Sequence, residues 1–285
     1  MPVWLKEKLF FYATKISVLI SLAMLLGIFV VLLIQAMPAI KTFGFSFFTS
    51  TQWSPNKEIF SAGSAIYGSL LGTLLAMLLA LPLALGIAIF LNEVCAKTLK
   101  TFIASSIDLL AAIPSIVYGM WGLFYLVPIV AKIFGGSGLG ILSAGIILSV
   151  MILPFMSAIF TDCMQNTPDM LKESAYALGA TKTEVIKDVV LPYAKIGVTG
   201  GIILALGRAL GETMAVTFVI GNTHKITSLI APATNIPATL ANEFAEADSE
   251  LYTSSLFYLA LILFCMSLLI IGSAKFYFLN RMKRK

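Results

Sequence analysis

Apolar residues run along this chain in six long tracts that carry almost no charge. An α-helix rises about 1.5 Å per residue, so roughly 20 apolar residues cross the ~30 Å hydrocarbon core of a bilayer. All six tracts exceed that length. They cover residues 16–40, 59–92, 109–131, 133–161, 196–220 and 251–274. The pattern predicts an all-α membrane protein with six transmembrane helices.

Two stretches depart from a simple spanning helix. Residues 59–92 are longer than one span and contain Gly63, Gly68, Gly72 and Pro82, so we expect the helix itself to begin near Tyr67, after a short external segment. Residues 226–241 are mostly apolar but are interrupted by two prolines, which break helices. We expect that stretch to form a re-entrant or interfacial segment on the outer side of the membrane.

The composition narrows the class of protein further. Hydrophobic residues make up 59% of the 285 residues and charged residues 12%, with a mean hydropathy of +0.97. These values exclude a water-soluble enzyme, an intrinsically disordered chain and a nucleic-acid-binding domain. Cys95, Cys163 and Cys265 show no CxxC spacing, and His224 has no metal-ligand neighbour at a suitable spacing. We therefore predict no metal site and no cofactor, and a solvated loop position for His224.

The basic residues predict the orientation in the membrane, because cytoplasmic loops carry an excess of lysine and arginine. If both termini are cytoplasmic, four of the 19 basic residues fall outside and Arg208 falls within a membrane segment. The four outer residues are Lys41, Lys57, Lys132 and Lys225. The other 14 fall inside, and they are Lys6, Lys8, Lys15, Lys97, Lys100, Lys172, Lys182, Lys187, Lys195, Lys275, Arg281, Lys283, Arg284 and Lys285.

This orientation divides the chain into three parts. Residues 1–60 form an N-terminal helix and a first external loop, in which an aromatic cluster around Trp53 is expected to anchor the protein at the outer interface. Residues 61–275 form a core domain with a cytoplasmic hairpin at 167–192, and residues 276–285 form a basic cytoplasmic tail.

Local signals predict the shape of the hairpin. Thr167 is expected to cap its first helix, with the following proline at the first helical position, and Gly179 is expected to end that helix. Thr181 and Glu184 have capping-box spacing for a second helix, which is expected to end at Pro192. The apolar residues of the two helices are predicted to share one face that docks into a groove of another protein. They are Leu171, Ala175, Leu178, Val185 and Val189.

A fixed spacing within the hairpin points to a family. Glu173-Ser174-Ala175 is followed after three residues by Gly179 and after nine more by Val189-Val190-Leu191-Pro192. This resembles the EAA motif of permease subunits in ATP-binding-cassette (ABC) importers, from which the chain departs at Ser174 and Val189. The resemblance implies the type I importer permease fold (MetI-like) and a coupling helix that docks on an ATPase subunit. The coupling positions that it implies are Glu173, Ala175, Gly179, Ala180, Leu191 and Pro192.

The nucleotide chemistry is predicted to lie on another chain. No GxxxxGK[ST] run occurs in the sequence, so the chain lacks the phosphate cradle of a P-loop ATPase. We therefore predict a transport subunit rather than an enzyme, with ATP hydrolysis on a partner.

Two charged residues lie inside the fifth apolar tract, at Arg208 and Glu212. A charge near the bilayer centre costs about 2.5–3.5 kcal/mol on insertion scales, so both need a physical reason. One interpretation is a structural ion pair, since residues four apart share a helix face. The other, which we favour, is that Arg208 faces a translocation pathway and offers its forked donors to an anion, while Glu212 holds the guanidinium.

Three longer stretches, at 112–119, 207–216 and 240–247, are similar to the C-type permeases of phosphate-specific transporters (PstC type). The resemblance covers nearly the whole chain and links Arg208 and Glu212 to phosphate passage. It implies a heterodimer with a PstA-type permease, two ATPase subunits of PstB type and an extracytoplasmic phosphate-binding protein of PstS type. It also implies a multi-pass protein of the bacterial inner (cytoplasmic) membrane.

The function expected from these observations is that of a transmembrane permease subunit in an ATP-driven importer of inorganic phosphate. Two alternatives remain at this point. One is a permease of the same class for another oxyanion, such as sulfate or molybdate, because a single arginine attracts any oxyanion. The other is an ATP-independent channel or carrier, against which the hairpin argues.

Overall fold

The computed structural model describes residues 3–283, and most of them are helical. Arg284 and Lys285, which belong to the predicted basic tail, lie outside the described residues. The α-helices are α1 (Val3–Phe43), α2 (Ser46–Thr49), α3 (Gly63–Ile89), α4 (Lys97–Ala111), α5 (Ser115–Trp121), α6 (Val127–Phe134), α7 (Ile141–Gln165), α8 (Asp169–Ala177), α9 (Lys182–Glu184), α10 (Leu191–Gly211), α11 (Met214–Thr217), α12 (Ile236–Glu243) and α13 (Glu250–Lys283).

Two pairs of these helices, α5 with α6 and α9 with α10, are continuous through π-helical turns, and a third π-helical turn extends α3. Such turns lie at Phe90–Val94, Gly122–Leu126 and Val185–Val190, and a 3-10 turn lies at Pro55–Lys57. Within residues 3–283, the extended pairing is limited to one isolated bridge between Ser54 and Ile59. The predicted all-α architecture is therefore confirmed.

Six helical segments in the described part of the chain are long and apolar enough to cross a membrane, as predicted. Their ends differ from the apolar tracts because charge alone does not end a helix. The second segment begins at Gly63 rather than near Tyr67. The six segments are Glu7–Phe43, Gly63–Val94, Ser115–Phe134, Ile141–Gln165, Lys182–Gly211 and Glu250–Tyr277.

The third segment was predicted to begin at residue 109, and that boundary is wrong. Pro114 has no backbone N–H and disfavours helical backbone at the residue before it, so the chain breaks between α4 and α5. The amphipathic helix α4 is thereby separated from the span, which begins at Ser115.

Helix α7 is the centre of the bundle, and α3 and α10 pack along it. The face of α3 toward the core is lined with small buried residues at helical spacing, Ala76, Ala80, Ala84 and Ala88. Small side chains let membrane helices approach closely, which is how association occurs where lipid removes the hydrophobic driving force. Helices α1 and α13 form a second cluster beside this core, around Ala36, Tyr252 and Leu256.

The stretch between α11 and α13 folds back into the bundle, as predicted for its apolar part. Thr234, Asn235 and Ile236 are buried, and the backbone N–H of Ile236 donates to Ser69 Oγ of α3 at 3.0 Å. Gly68 permits this approach, because a Cβ atom at that position would lie 1.9 Å from the Thr234 carbonyl oxygen. This end of the core is therefore filled by irregular chain as well as by helices.

Candidate functional site

Helix α10 stops partway across the bundle. It ends at Gly211, after which Glu212 takes an extended backbone conformation and the chain makes the single turn of α11. Its last turn carries Arg208, whose guanidinium lies 5.6 Å from the centre of the Phe155 ring. Phe155 is near the middle of the 25-residue helix α7. The end of α10 therefore lies at about half the depth of the bundle.

Arg208 is held by an aromatic ring and by the end of its own helix. A cation over a ring face is stabilised by the ring quadrupole, and a cation in the last turn is stabilised by the helix dipole. In this single chain the Arg208 residue is exposed. The residue is therefore accessible to a ligand or a neighbouring subunit.

The expected contact between Arg208 and Glu212 is absent from the described residues. The salt bridges found in residues 3–283 are Lys172–Glu93 and His224–Glu243. Glu212 lies beyond the end of α10, and its Oε1 accepts a hydrogen bond from the backbone N–H of Ala215 at 3.3 Å. The prediction of a shared helix face was wrong because it assumed that the helix continues past Gly211. Each charge instead stabilises a different helix end.

The hairpin at residues 167–192 has the tight turn that was predicted. Helix α8 ends beside Gly179, whose φ of +88° is in the left-handed region that favours glycine. The N–H of Ala180 donates to the Ala175 carbonyl at 3.1 Å, which closes the end of the helix. A capping box between Thr181 and Glu184 then starts the next helix, as the spacing predicted.

Two boundary predictions for the hairpin were wrong. Thr167 does not cap α8: its hydroxyl is buried without a hydrogen-bond partner among the described residues, and Pro168 precedes the helix. Pro192 does not end the second helix. It occupies the start of α10, where a missing backbone N–H is tolerated because the helix continues from a π-helical turn at Val185–Val190.

The apolar residues of the hairpin divide between two faces rather than sharing one. Val185 is buried and Ala175 and Val189 pack against the core, whereas Leu178 is 89% exposed at the turn and Leu171 is also exposed. The turn thus presents an uncovered leucine beside Gly179, while the base of the hairpin is held by the bundle.

The structure separates the coupling residues implied by the EAA resemblance in the same way. Glu173 and Gly179 are exposed on the hairpin, and Ala180 is half-buried beside the turn. Leu191 and Pro192 lie on the first turn of α10, where Leu191 packs against the core and Pro192 is exposed. Of the six implied positions, four therefore lie on the hairpin, with Ala175 on α8, and two lie on the membrane helix that follows it.

A polar cluster on the opposite side of the molecule was missed by sequence reasoning. Glu243, at the end of α12, accepts hydrogen bonds from Trp53 Nε1 at 2.5 Å and from the Tyr252 hydroxyl at 2.8 Å. Its other carboxylate oxygen lies 2.6 Å from His224 Nε2, and the imidazole stacks on the Trp53 ring with centroids 4.9 Å apart. His224 is therefore a packed residue, and its predicted solvated position was wrong.

The aromatic residues around Trp53 were expected to anchor the protein at the membrane interface, but several of them pack inside the protein instead. Trp53 packs against Phe60 and His224, and Phe47 is fully buried and stacks on Tyr258 with centroids 4.4 Å apart. Phe45, at 80% exposed, keeps an outward position. The signal that was available in the sequence is that Trp53, His224 and Glu243 all fall in predicted outer loops.

Comparison with known proteins agrees with this architecture. The family described as "Binding-protein-dependent transport system inner membrane component" matches residues 72–285. Two solved structures share the fold at low identity. A methionine ABC transporter chain (MetNI) has a TM-score of 0.58 at 16% identity, covering 76% of this chain and 92% of that one. A bacterial alginate ABC transporter chain has a TM-score of 0.63 at 17% identity, covering 95% of each.

The chain belongs to this family of inner-membrane permease components of ABC transporters. It is thus a multi-pass inner-membrane transport subunit that works with separate ATPase, permease and binding-protein components.

Curated relatives specify the branch of the family. "Phosphate transport system permease protein PstC" of Mesorhizobium japonicum is 47% identical, over 95% of this chain and 90% of that protein. The protein of the same name in Pasteurella multocida is 41% identical, over 94% and 90%. A "Probable phosphate transport system permease protein PstC" of Methanocaldococcus jannaschii is 36% identical, over 87% and 85%. These identities place the chain with the PstC-type permeases.

Proposed function

We propose that this chain forms half of the translocation pathway of an ATP-driven importer of inorganic phosphate. The single observation that carries the pathway assignment is Arg208. It lies at an interrupted helix near mid-depth of the bundle, and no salt bridge to it occurs within residues 3–283. Interrupted helices with polar groups at the bilayer midplane are typical of transporter substrate sites. The names of the curated relatives support phosphate as the anion.

The charge at this position suits transient anion binding. Phosphate at neutral pH carries between one and two negative charges, and it needs a compensating cation to pass through a region of low dielectric constant. The Phe155 ring orients the guanidinium without using its N–H donors, so the planar fork stays available to phosphate oxygens. Glu212, close in sequence, contributes a negative charge that limits how tightly the anion is held.

We infer that the hairpin couples this pathway to the ATPase. Leu178 and Gly179 form the uncovered turn, and Glu173 lies on the exposed surface of α8. Ala175 and Ala180 flank the turn, and Leu191 and Pro192 join it to α10. The partners of this assembly are a PstA-type permease, two PstB-type ATPase subunits and an extracytoplasmic PstS-type phosphate-binding protein.

Reconstitution tests the substrate and the coupling together. The purified complex in proteoliposomes, supplied with ATP on the hairpin side and binding protein on the other, is expected to transport labelled phosphate and to hydrolyse ATP faster with phosphate-loaded binding protein. Sulfate transport by the same proteoliposomes, with a sulfate-binding protein in place of the phosphate-binding one, is the matched control. Sulfate transport without phosphate transport would overturn the phosphate assignment, and transport without ATP would overturn the coupling.

A further inference from the structure

A buried salt bridge joins the hairpin to the cytoplasmic end of the second membrane segment. Lys172 Nζ of α8 lies 2.6 Å from Glu93 Oε1, and the two side chains are only 17% and 7% exposed. Removing one partner of such a pair leaves an uncompensated charge in a place that water reaches poorly. The bridge therefore fixes the base of the hairpin against the helix that packs most closely on α7.

The neighbouring residue, Asn92, links three further elements. Its Oδ1 accepts a hydrogen bond from Lys100 Nζ of α4 at 2.9 Å. Its Nδ2 donates to the Thr161 carbonyl of α7 at 2.9 Å and to the Ala88 carbonyl of α3 at 3.2 Å. One amide thus uses its acceptor and both donors, and it ties α3, α4 and α7 at a single point.

The backbone around this point is not regular α-helix. Asn92 and Glu93 lie in the π-helical turn Phe90–Val94, and the hairpin enters α10 through another π-helical turn at Val185–Val190. Such turns interrupt the regular ladder of helical hydrogen bonds and are frequent at functional sites. The Lys172–Glu93 bridge therefore connects the hairpin to the π-helical turn at Phe90–Val94. The hairpin itself runs into the second π-helical turn, at Val185–Val190.

We propose that Asn92 and Glu93 are positioning residues that transmit displacement of the hairpin to α3, α4 and α7. The inference rests on the proposed docking of the hairpin on an ATPase. When the hairpin moves, Lys172 carries the Glu93 side chain with it, and Asn92, one residue away, carries the ends of α4 and α7. The covalent route through α10 and the polar route through Glu93 then both act on α7.

A charge swap in the reconstituted complex tests the polar route. Lys172→Gln and Glu93→Gln are each expected to lower phosphate transported per ATP hydrolysed by about fivefold or more, the lower range of allosteric coupling. The double variant Glu93→Lys with Lys172→Glu re-creates the pair in reverse and is expected to restore that ratio to within about twofold of wild type. Lys195→Gln, an exposed lysine near the start of α10, is the matched control and is expected to leave the ratio unchanged.

A docking measurement separates this inference from the proposed function. Leu178→Cys, in a background without native cysteines, is expected to cross-link to the ATPase subunit in wild-type and Lys172→Gln contexts alike. If the cross-link forms and the swap fails to restore the ratio, the junction does not transmit motion. If the single variants lose thermal stability without any change in the ratio, the bridge is structural only. Absence of the cross-link in the wild-type context would overturn the docking and the junction together.

Discussion

The guanidinium of Arg208 lies 5.6 Å from the centre of the Phe155 ring, while Glu212, four residues on, accepts a hydrogen bond from Ala215. Arg208 thus contacts an aromatic ring and not the Glu212 carboxylate. This matters because a carboxylate partner occupies the donors of an arginine, whereas an aromatic face leaves them available. A cation–π contact contributes about 0.5–2 kcal/mol, depending on how far it is desolvated. The arrangement orients the charge without a carboxylate partner among the described residues.

Replacing Arg208 tests the pathway directly. Arg208→Gln is expected to lower phosphate uptake by about 100-fold or more, the typical loss when a preorganised anion donor is removed. Arg208→Lys keeps the charge without the planar fork and is expected to recover uptake only in part. Uptake is measured in proteoliposomes, with co-purification of the ATPase as the control for assembly. Normal uptake by Arg208→Gln would show that the arginine only stabilises the end of α10.

Glu212 offers a test in which charge and hydrogen bonding are separable. Glu212→Gln keeps an oxygen that accepts from the Ala215 N–H, so the fold around α11 is expected to persist while the negative charge is lost. We expect slower release of phosphate, seen as a lower maximal uptake rate with little change in the phosphate concentration at half-maximal rate. Glu212→Ala removes the hydrogen bond as well and is expected to lower thermal stability. Equal uptake by wild type and Glu212→Gln would remove the charge from the mechanism.

The hairpin turn has a matched control elsewhere in the chain. Gly179 (φ +88°) and Gly136 (φ +74°) both have left-handed backbone, and a Cβ atom at either position would meet open space, with no neighbour from residues 3–283 within 4 Å beyond the adjoining chain. Valine therefore strains both backbones alike without a steric clash. Gly179→Val is expected to lower ATP-driven uptake by about tenfold or more, within the range of coupling energies between sites. Gly136→Val is expected to transport normally, and equal losses at both positions would refute a specific role for the hairpin.

The orientation of the chain in the membrane can be tested at the same two turns. Leu178→Cys and Ser137→Cys place exposed thiols on the hairpin and on the loop between α6 and α7. In intact cells without native cysteines in this chain, a membrane-impermeant maleimide is expected to label Ser137→Cys and to miss Leu178→Cys until the cells are opened. The reverse order of labelling would place the hairpin outside, where no ATP is supplied to a partner.

Glu243 is expected to stabilise the fold through its contacts with Trp53, Tyr252 and His224. Glu243→Ala leaves the Trp53 and Tyr252 donors and the His224 ring without their common acceptor, so we expect the free energy of unfolding to fall by about 2 kcal/mol or more. The measurement is thermal unfolding in detergent. Glu246→Ala, an exposed carboxylate three residues on, is the control and is expected to change little. A similar loss in both variants would show that the cluster carries no special stability.

The features that the sequence predicts well are those encoded locally. The six spans follow from uninterrupted apolar length, and the hairpin turn follows from Gly179 and from the Thr181–Glu184 spacing. The end of α10 at Gly211 is not encoded in that way, because apolar residues continue beyond it to residue 220. Beyond α11, residues 219–233 make backbone hydrogen bonds with one another and with Gly140 and Leu142, and a local sequence pattern does not encode contacts between such distant segments.

The cluster around Glu243 also depends on residues far apart in sequence, which local patterns do not connect. Trp53 and Glu243 are 190 residues apart, and no periodicity joins positions in different loops. Each residue taken alone has an ordinary explanation, Trp53 as an interfacial anchor and His224 as a loop residue. Only the packing of α12 against α3 and α13 brings them to one place.

The contact between Gly68 and Thr234 also bears on how the protein is made. Membrane helices are inserted in chain order, so α3 is in the bilayer long before residues 218–249 emerge from the ribosome. Residues 234–236 reach their buried position against Gly68 and Ser69 only after α10 and α11 have been made. Completion of the fold is thus a closing step that follows insertion. A side chain at position 68 is therefore expected to block this last contact while the membrane helices themselves stay in place.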